Sequence, residues 1–307
     1  MKSLVAVGAC YVDTILTVDH YPSEDEKLRA SSISRRRGGN VPNLIEVLQQ
    51  LLESTEMEQM SLKIVAVLPA TLSAGTKQVK ESFTSGVDLR HCICREAFRE
   101  PASSYIIRSQ SSGSRTVVNY NDLPEMTAEE FFQIAKTTLE CIRYLRQQFT
   151  TVKISVEVEK PSRPGLQELA AEADVVVYSK SWAQGNGYQS LEECLRAQAV
   201  IAHKASLLLC TWGKDGAAAL IPSSSIYVFS PAYIAENLQV IDTIGAGDTF
   251  MAGMLYGLIC HGDDWSLLQK LQFANKIAGI KVVQEGFPGL GASLQTCSSS
   301  LKGHSIC

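Results

Sequence analysis

Apolar positions along the chain follow two periods. Residues 4–8 (L-V-A-V-G) form a short unbroken apolar run, the pattern of a strand covered on both faces. Residues 40–53 carry Leu44, Ile45, Leu48, Leu51 and Leu52 at spacings of three and four, one stripe of a helix. Asn40 is placed to cap that helix and Pro42 suits its first turn. The same reasoning predicts helices over 71–84, 127–148, 189–203, 246–260 and 264–284, and core strands over 63–68, 152–158, 174–178 and 206–211. Strands alternating with helices imply an α/β fold, a three-layer sandwich with a mostly parallel central sheet. Residues 11–34 and 88–120 break the rhythm. Alternating segments there, such as 104–108 and 116–120 around the polar turn 109–115, read as antiparallel strands of a small β lid. The Ser-rich end lacks periodicity, so the expectation is one domain over 1–292 and a disordered tail over 293–307.

Composition narrows the function. The chain has 307 residues, 45% hydrophobic and 20% charged, enough apolar material for a core and too much for wholesale disorder. Lys and Arg total 28 against 32 Asp and Glu, a net charge of −4. That balance speaks against non-specific binding to nucleic acid or to an anionic membrane, while leaving room for a local anion site. No apolar run approaches the ~18 residues of a spanning helix. The first apolar run ends at Asp13 without a small-x-small cleavage pattern, so it reads as a buried strand rather than a leader. The nine Cys are odd in number and lack C-x-x-C spacing. Cys92 and Cys94 would share a strand face with no second pair to complete a zinc site. The five His form no ligand cluster, and His20 and His203 read as ordinary polar residues. Unpaired cysteines point to a reducing, cytoplasmic setting.

The segment richest in chemistry is Asp242-Thr243-Ile244-Gly245-Ala246-Gly247-Asp248-Thr249-Phe250. It lies between a strand-like run at 238–241 and an apolar helix. Small residues at Gly245, Ala246 and Gly247 let main-chain amides approach a ligand where a helix begins, which makes an anion hole. A carboxylate at Asp248 would repel a simple anion. It makes sense as a base that takes a proton from a hydroxyl attacking a phosphoryl group. The competing reading, a helix start with Asp in the first turn, would suffice for a lone G-x-G.

The whole string resembles the signature of the PfkB/ribokinase carbohydrate kinase family. Gly38-Gly39-Asn40-Val41-Pro42-Asn43 is similar to that family's N-terminal G-G-N-x-x-N. Residues 155–161 (S-V-E-V-E-K-P) and 187–190 (G-Y-Q-S) are most similar to its ketohexose-phosphorylating branch. The resemblance implies a ribokinase-like fold and an ATP-dependent kinase acting on a ketose hydroxyl, with fructose O1 as the expected acceptor. It also implies Mg²⁺, and a homodimer joined through the lid. Carried over by motif, Asp13, Gly39, Asn40 and Asn43 would bind sugar hydroxyls, a set able both to accept and to donate. Asp248 would contact the reacting hydroxyl, and Gly245, Ala246 and Gly247 the phosphates. The nucleotide would lie against Thr211, Trp212, Gly213, Lys214 and Gly216. Arg115 would approach the transferred phosphate, where its guanidinium could offset developing charge. Asn40 as a cap and Arg115 as a solvated loop residue remain the plain alternatives.

Two departures accompany the resemblance. The N-x-x-E that supports Mg²⁺ in many members has no match at 178–183, so the metal ligands stay unassigned, with Glu157 and Glu159 as candidates for an outer shell. Between Lys136 and Thr137 two helix-forming segments are fused, and a core strand with its sugar-proximal Arg is missing. Loss of a central parallel strand would uncover ladder groups and apolar faces. A sugar- or nucleotide-binding protein with weak or no catalysis is therefore the second reading, and a kinase of another sugar or of a nucleoside the third.

Overall fold

The computed structural model describes residues 2–54, 60–83, 86–126, 143, 145–149, 151–161, 165–233 and 239–292. The chain divides into two compact units, where the sequence pattern draws one domain over 1–292. The first comprises Met1–Met126, Asn237–Ala252 and Lys281–Cys307, the second Thr127–Glu236 and Gly253–Ile280. The parallel strands are correspondingly shared between separate sheets.

The first unit runs β1 (Ser3–Val7), β2 (Tyr11–Val18), β3 (Ser32–Gly38), α1 (Asn40–Glu53), β4 (Ser61–Val65), β5 (Val67–Pro69), α2 (Ala74–Glu81), β6 (Val87–Asp88), β7 (Ile93–Arg95), β8 (Ser103–Ser109) and β9 (Arg115–Tyr120). Strands β1, β4 and β6 pair in parallel, as do β5 and β7. Helix α1 buries Leu44, Ile45, Leu48 and Leu51, as its stripe requires, and packs on β1 and β4. Each fully buried aliphatic of this kind stabilises by about 1.5–3 kcal/mol. Asn40 is the first residue inside the helix rather than its cap. The cap position falls to Gly39, at φ 103, with no side-chain hydrogen bond.

Three expectations change here. Strand β1 is not covered on both faces: Val5 is 53% and Val7 40% exposed, and among the described residues only β4 pairs with it. The run 63–68 splits at Ala66 because β4 and β5 enter different sheets. The segment 88–95 does not join the lid strands, since β6 extends the β1–β4 sheet and β7 pairs with β5. The four-stranded sheet has the order β3-β2-β8-β9, with β8 and β9 antiparallel and β2 and β8 parallel.

The second unit holds one sheet in chain order. It contains β10 (Ser155–Val158), α3 (Leu166–Glu172), β11 (Val175–Tyr178), α4 (Lys180–Gly185), α5 (Leu191–Ile201), β12 (Leu207–Thr211), β13 (Ala217–Ile221) and β14 (Ile226–Ser230). Strands β10 to β12 are parallel; β13 and β14 turn antiparallel. The core gathers Val158, Val176, Tyr178, Trp182, Leu195 and Leu208. Ser179 and Ser190 cap α4 and α5 by accepting the amides of Trp182 and Glu193. The sequence pattern misses β13, because A-A-A-L-I lacks alternation.

Helix α6 (Ala246–Cys260) begins in the first unit and ends in the second; α7 (Leu267–Val282) begins in the second and ends in the first. Residues 239–241 form no strand. The amides of Ile241 and Asp242 both donate to the carbonyl of Val282 at the end of α7, 2.7 and 3.1 Å away. Of the helix predicted over 127–148, residues 143 and 145–148 are helical. The junction at Lys136 and Thr137 and the tail 293–307 lie outside the described residues. No described helix is long and apolar enough to cross a membrane.

Candidate active site

Pairing in the four-stranded sheet decides which side chains meet. Asp13 stands opposite Arg36 on β3 and Ser104 on β8; four residues further along β2, Thr17 stands opposite Arg108, and Arg108 opposite Arg115. With a side-chain period of two, Asp13, Arg36, Ser104, Arg108 and Arg115 share one face. Asp13 is buried, and burial pushes its carboxyl above the usual range although Ser104 and the arginines pull it down. A Cβ on Gly38 would sit 2.3 Å from that carboxylate, so only glycine leaves it room. Asn43, buried in the second turn of α1, accepts from Arg37 Nη1 at 3.3 Å and donates through Nδ2 to Asp248 Oδ2 at 2.8 Å. Arg37 is itself buried and paired with Glu46.

Asp248 lies in the first turn of α6 and is buried apart from a small remainder. The turn before it is fixed by its own polar groups. Asp242 Oδ1 accepts the amide of Ile244 at 2.9 Å, and the Thr249 hydroxyl and amide both donate to the carbonyl of Gly245, at 2.8 and 2.9 Å. Gly245 has φ 77, and a Cβ there would lie 2.4 Å from the Phe287 ring, whereas a Cβ on Gly247 meets nothing within 4 Å. Of the two glycines, then, Gly245 is required by the fold, and Gly247 leaves open space above the helix start. The first amides of a helix lack intrahelical partners, so this space is suited to an anion. Arg115, exposed at the start of β9, donates to the hydroxyl of Thr243 beside it.

Thr211, Trp212, Gly213, Lys214 and Gly216 lie in the second unit, where β12 turns through Gly213–Asp215 into β13. Trp212 is buried with Lys180 Nζ 5.5 Å from its ring centre; Gly213 and Lys214 are exposed. The two glycines differ in the space around them: at Gly213 a Cβ would meet nothing within 4 Å. At Gly216 the space is filled by the chain, since a Cβ there would lie 2.3 Å from the carbonyl oxygen of Ser230.

A family description, "pfkB family carbohydrate kinase", matches residues 1–288. The chain is 31% identical to ketohexokinase of Mus musculus, over 94% of its own length and 99% of the mouse protein. The chain belongs to the pfkB family of carbohydrate kinases. Solved structures agree on the fold: ribokinase from Giardia lamblia superposes with a TM-score of 0.76 at 14% identity, over 97% of this chain and 99% of that one. Arabidopsis thaliana ribokinase, complexed with ribose and ATP, gives 0.72 at 19% identity, over 96% and 97%. The mouse match spans 310 positions against 307 residues in this chain, so it includes positions the chain leaves empty.

For a kinase of this family the residues overlooked in the sequence are charged and wholly or partly buried. Arg36 Nη1 and Lys281 Nζ both donate to Asp242 Oδ2, at 2.9 and 2.8 Å. Burial works to raise the Asp242 carboxyl, but these two cations outweigh it and hold it down to about 2. Asp242 heads the signature string, and Arg36 lies in the middle of the basic run Arg35-Arg36-Arg37 just before Gly38; those were the available signals. Lys281 had none, being one of three Lys on its helix. Among the described residues no three His, Cys, Asp or Glu side chains cluster as metal ligands. Glu157 and Glu159 sit on and just after β10 in the second unit.

Proposed function

We propose that the chain transfers the γ-phosphate of ATP to a ketose, with fructose as acceptor and O1 as the attacking oxygen. The observation that carries this is the Asn43–Asp248 hydrogen bond, which joins the two family signatures within one unit beside the amides of Gly245, Ala246 and Gly247. The 31% identity to a ketohexokinase over nearly the whole chain supports a ketohexose. In this reading Asp13, Gly39, Asn40 and Asn43 bind the sugar. Asp248 takes the proton from the reacting hydroxyl as its oxygen bonds to phosphorus and the bond to the ADP oxygen breaks. Asn43 orients the carboxylate. The amides at 245–247 and the Arg115 guanidinium face the charge that grows on the phosphoryl oxygens. Thr211, Trp212, Gly213, Lys214 and Gly216 serve the nucleotide, with Gly216 contributing shape rather than open space. Mg²⁺ would be held by phosphate oxygens and water, its usual company, and would supply charge neutralisation. We assign the chain to the cytoplasm, and no nucleic-acid or membrane partner is invoked.

Purified chain with Mg-ATP and a panel of fructose, ribose, glucose and adenosine tests the reading, with ADP release and ³¹P NMR of the product as readouts. Turnover of fructose to its 1-phosphate is expected. Turnover of ribose or adenosine alone moves the chain to another branch, and calorimetric binding of sugar without turnover makes it a binding protein on this fold.

A further inference from the structure

Lys281 is wholly buried, and no step proposed above uses it. Its ammonium reaches Asp242 twice, donating to the main-chain carbonyl and to Oδ2, both at 2.8 Å. Asp242 in turn ties the start of the loop to its surroundings. Its Oδ1 takes the amide of Ile244, and its Oδ2 takes Arg36 Nη1 and the amide of Gly286 at 3.2 Å. The carbonyl of Val282, the residue after Lys281, accepts the amides of Ile241 and Asp242. The end of α7 thus grips the residues that lead into the Gly245–Gly247 turn. Lys281 is wholly buried and Arg36 part-buried; Arg36 also stands opposite Asp13 and lies within electrostatic reach of Glu46, its Nη2 is buried with no hydrogen-bond partner among the described residues, and Arg115 adds a further positive influence on Lys281.

We propose that Lys281 is a positioning residue for phosphoryl transfer: through Asp242 its ammonium aligns the Gly245–Gly247 amides with Asp248. This rests on the kinase reading above. Burial pushes the Lys281 ammonium down while Asp242 holds it up, which agrees with a cation retained against the cost of desolvation.

Two variants test it. Lys281→Met keeps the length and leaves Arg36 to neutralise Asp242, so it is the variant expected to fold. Lys281→Ala opens a space lined by the Asp242 carboxylate and carbonyl. In Lys281→Met, kcat should fall by roughly 10²-fold, the scale of losing oxyanion support, while KM for the sugar stays within about threefold. In Lys281→Ala, ethylammonium should restore turnover at least about tenfold and leave the unsubstituted chain unaffected. ATP and ADP affinities measured by calorimetry give a readout independent of turnover: Lys281→Met should lose affinity for ATP but not for ADP. A chain that phosphorylates nothing would overturn the kinase reading; if it still showed this ATP-selective loss, Lys281 would remain the support of a nucleotide-phosphate site. Folded Lys281→Met with an unchanged ATP-to-ADP preference, or Lys281→Ala indifferent to ethylammonium, would overturn the assignment and reduce Lys281 to a structural ion pair.

Discussion

Asn43 and Asp248 are 205 positions apart in sequence, and Asn43 Nδ2 donates to Asp248 Oδ2 across 2.8 Å. The contact joins the second turn of α1 to the first turn of α6 and sets the orientation of the carboxylate assigned as base. Asp248→Asn, nearly isosteric, should fold and bind nucleotide while turnover drops by roughly 10²–10⁴. Asn43→Ala removes one charge-assisted hydrogen bond, about 1.5–3 kcal/mol, and should lower turnover by roughly ten- to a hundredfold. Steady-state kinetics on both variants checks the pair; normal turnover in Asp248→Asn would remove it from the mechanism.

The two glycines of the anion loop should separate under substitution. Gly245→Ala places a methyl against Phe287 at positive φ, so it should cost about 1–3 kcal/mol and lower the melting temperature. Gly247→Ala meets open space and should melt near the parent temperature while weakening ATP binding. Differential scanning fluorimetry with calorimetric ATP titration reads both quantities. The reverse pattern would mean that the phosphate lies elsewhere.

Acid should unlock the Asp242 clamp. An unfolded Asp protonates near ~3.9, whereas Lys281 and Arg36 hold this one down to about 2. A depressed folded value gives stability that is present above about pH 4 and lost as pH falls toward 2. Asp13, raised by burial, contributes with the opposite sign and gains stability on protonation. Melting temperatures between pH 5 and 2 should therefore fall more steeply for the parent than for Asp242→Asn. Equal slopes would show that the clamp is not linked to folding in this range.

The junction at Lys136 and Thr137 is expected to cost stability. Among the described residues, β1 in the first unit leaves Val5 and Val7 exposed with β4 as its one partner, and β10 in the second has β11 as its one partner. Both strands begin from sequence runs that read as fully covered. Apolar side chains left uncovered forgo about 25 cal/mol for each Å² that burial would remove from water, against a total stability of about 5–15 kcal/mol. Inserting a strand-turn segment at the junction should raise soluble yield, melting temperature and sugar phosphorylation together. Unchanged values would show that the junction costs the fold nothing.

The outer face of the β3-β2-β8-β9 sheet is the expected dimer contact. Ile33, Tyr105, Val118 and Tyr120 share that face by register and are each at least half exposed. Contiguous apolar surface of this kind seeks cover, and β9 also lies at the edge of the sheet. Light scattering at micromolar concentration should give a dimer, and Val118→Lys a monomer. A monomeric parent chain would remove the lid-to-lid assembly.

The sequence alone determined what depends on local pattern. Helix α1 could be read to the residue from its apolar stripe, α6 from the small-residue start and apolar body, and β11 and β12 to within a residue from their unbroken apolar runs. Asp248 stands out in the sequence as an acid directly after three small residues at a helix start, which is why the proposal above gives it the role of base. Long-range pairing decided the rest. No spacing rule says that Asn43 meets Asp248, that Gly245 makes room for the Phe287 ring, or that Gly216 faces the carbonyl of Ser230 instead of a ligand. Those contacts join segments far apart in the chain, and a residue's type does not report its distant neighbour. Of the strand expected at 238–241, the described residues 239–241 form none: the amides of Ile241 and Asp242 donate to Val282 at the end of α7. Lys281 shows the limit most plainly. On its helix it is one more basic residue, and only burial against Asp242 and Arg36 turns its charge into something the site can use.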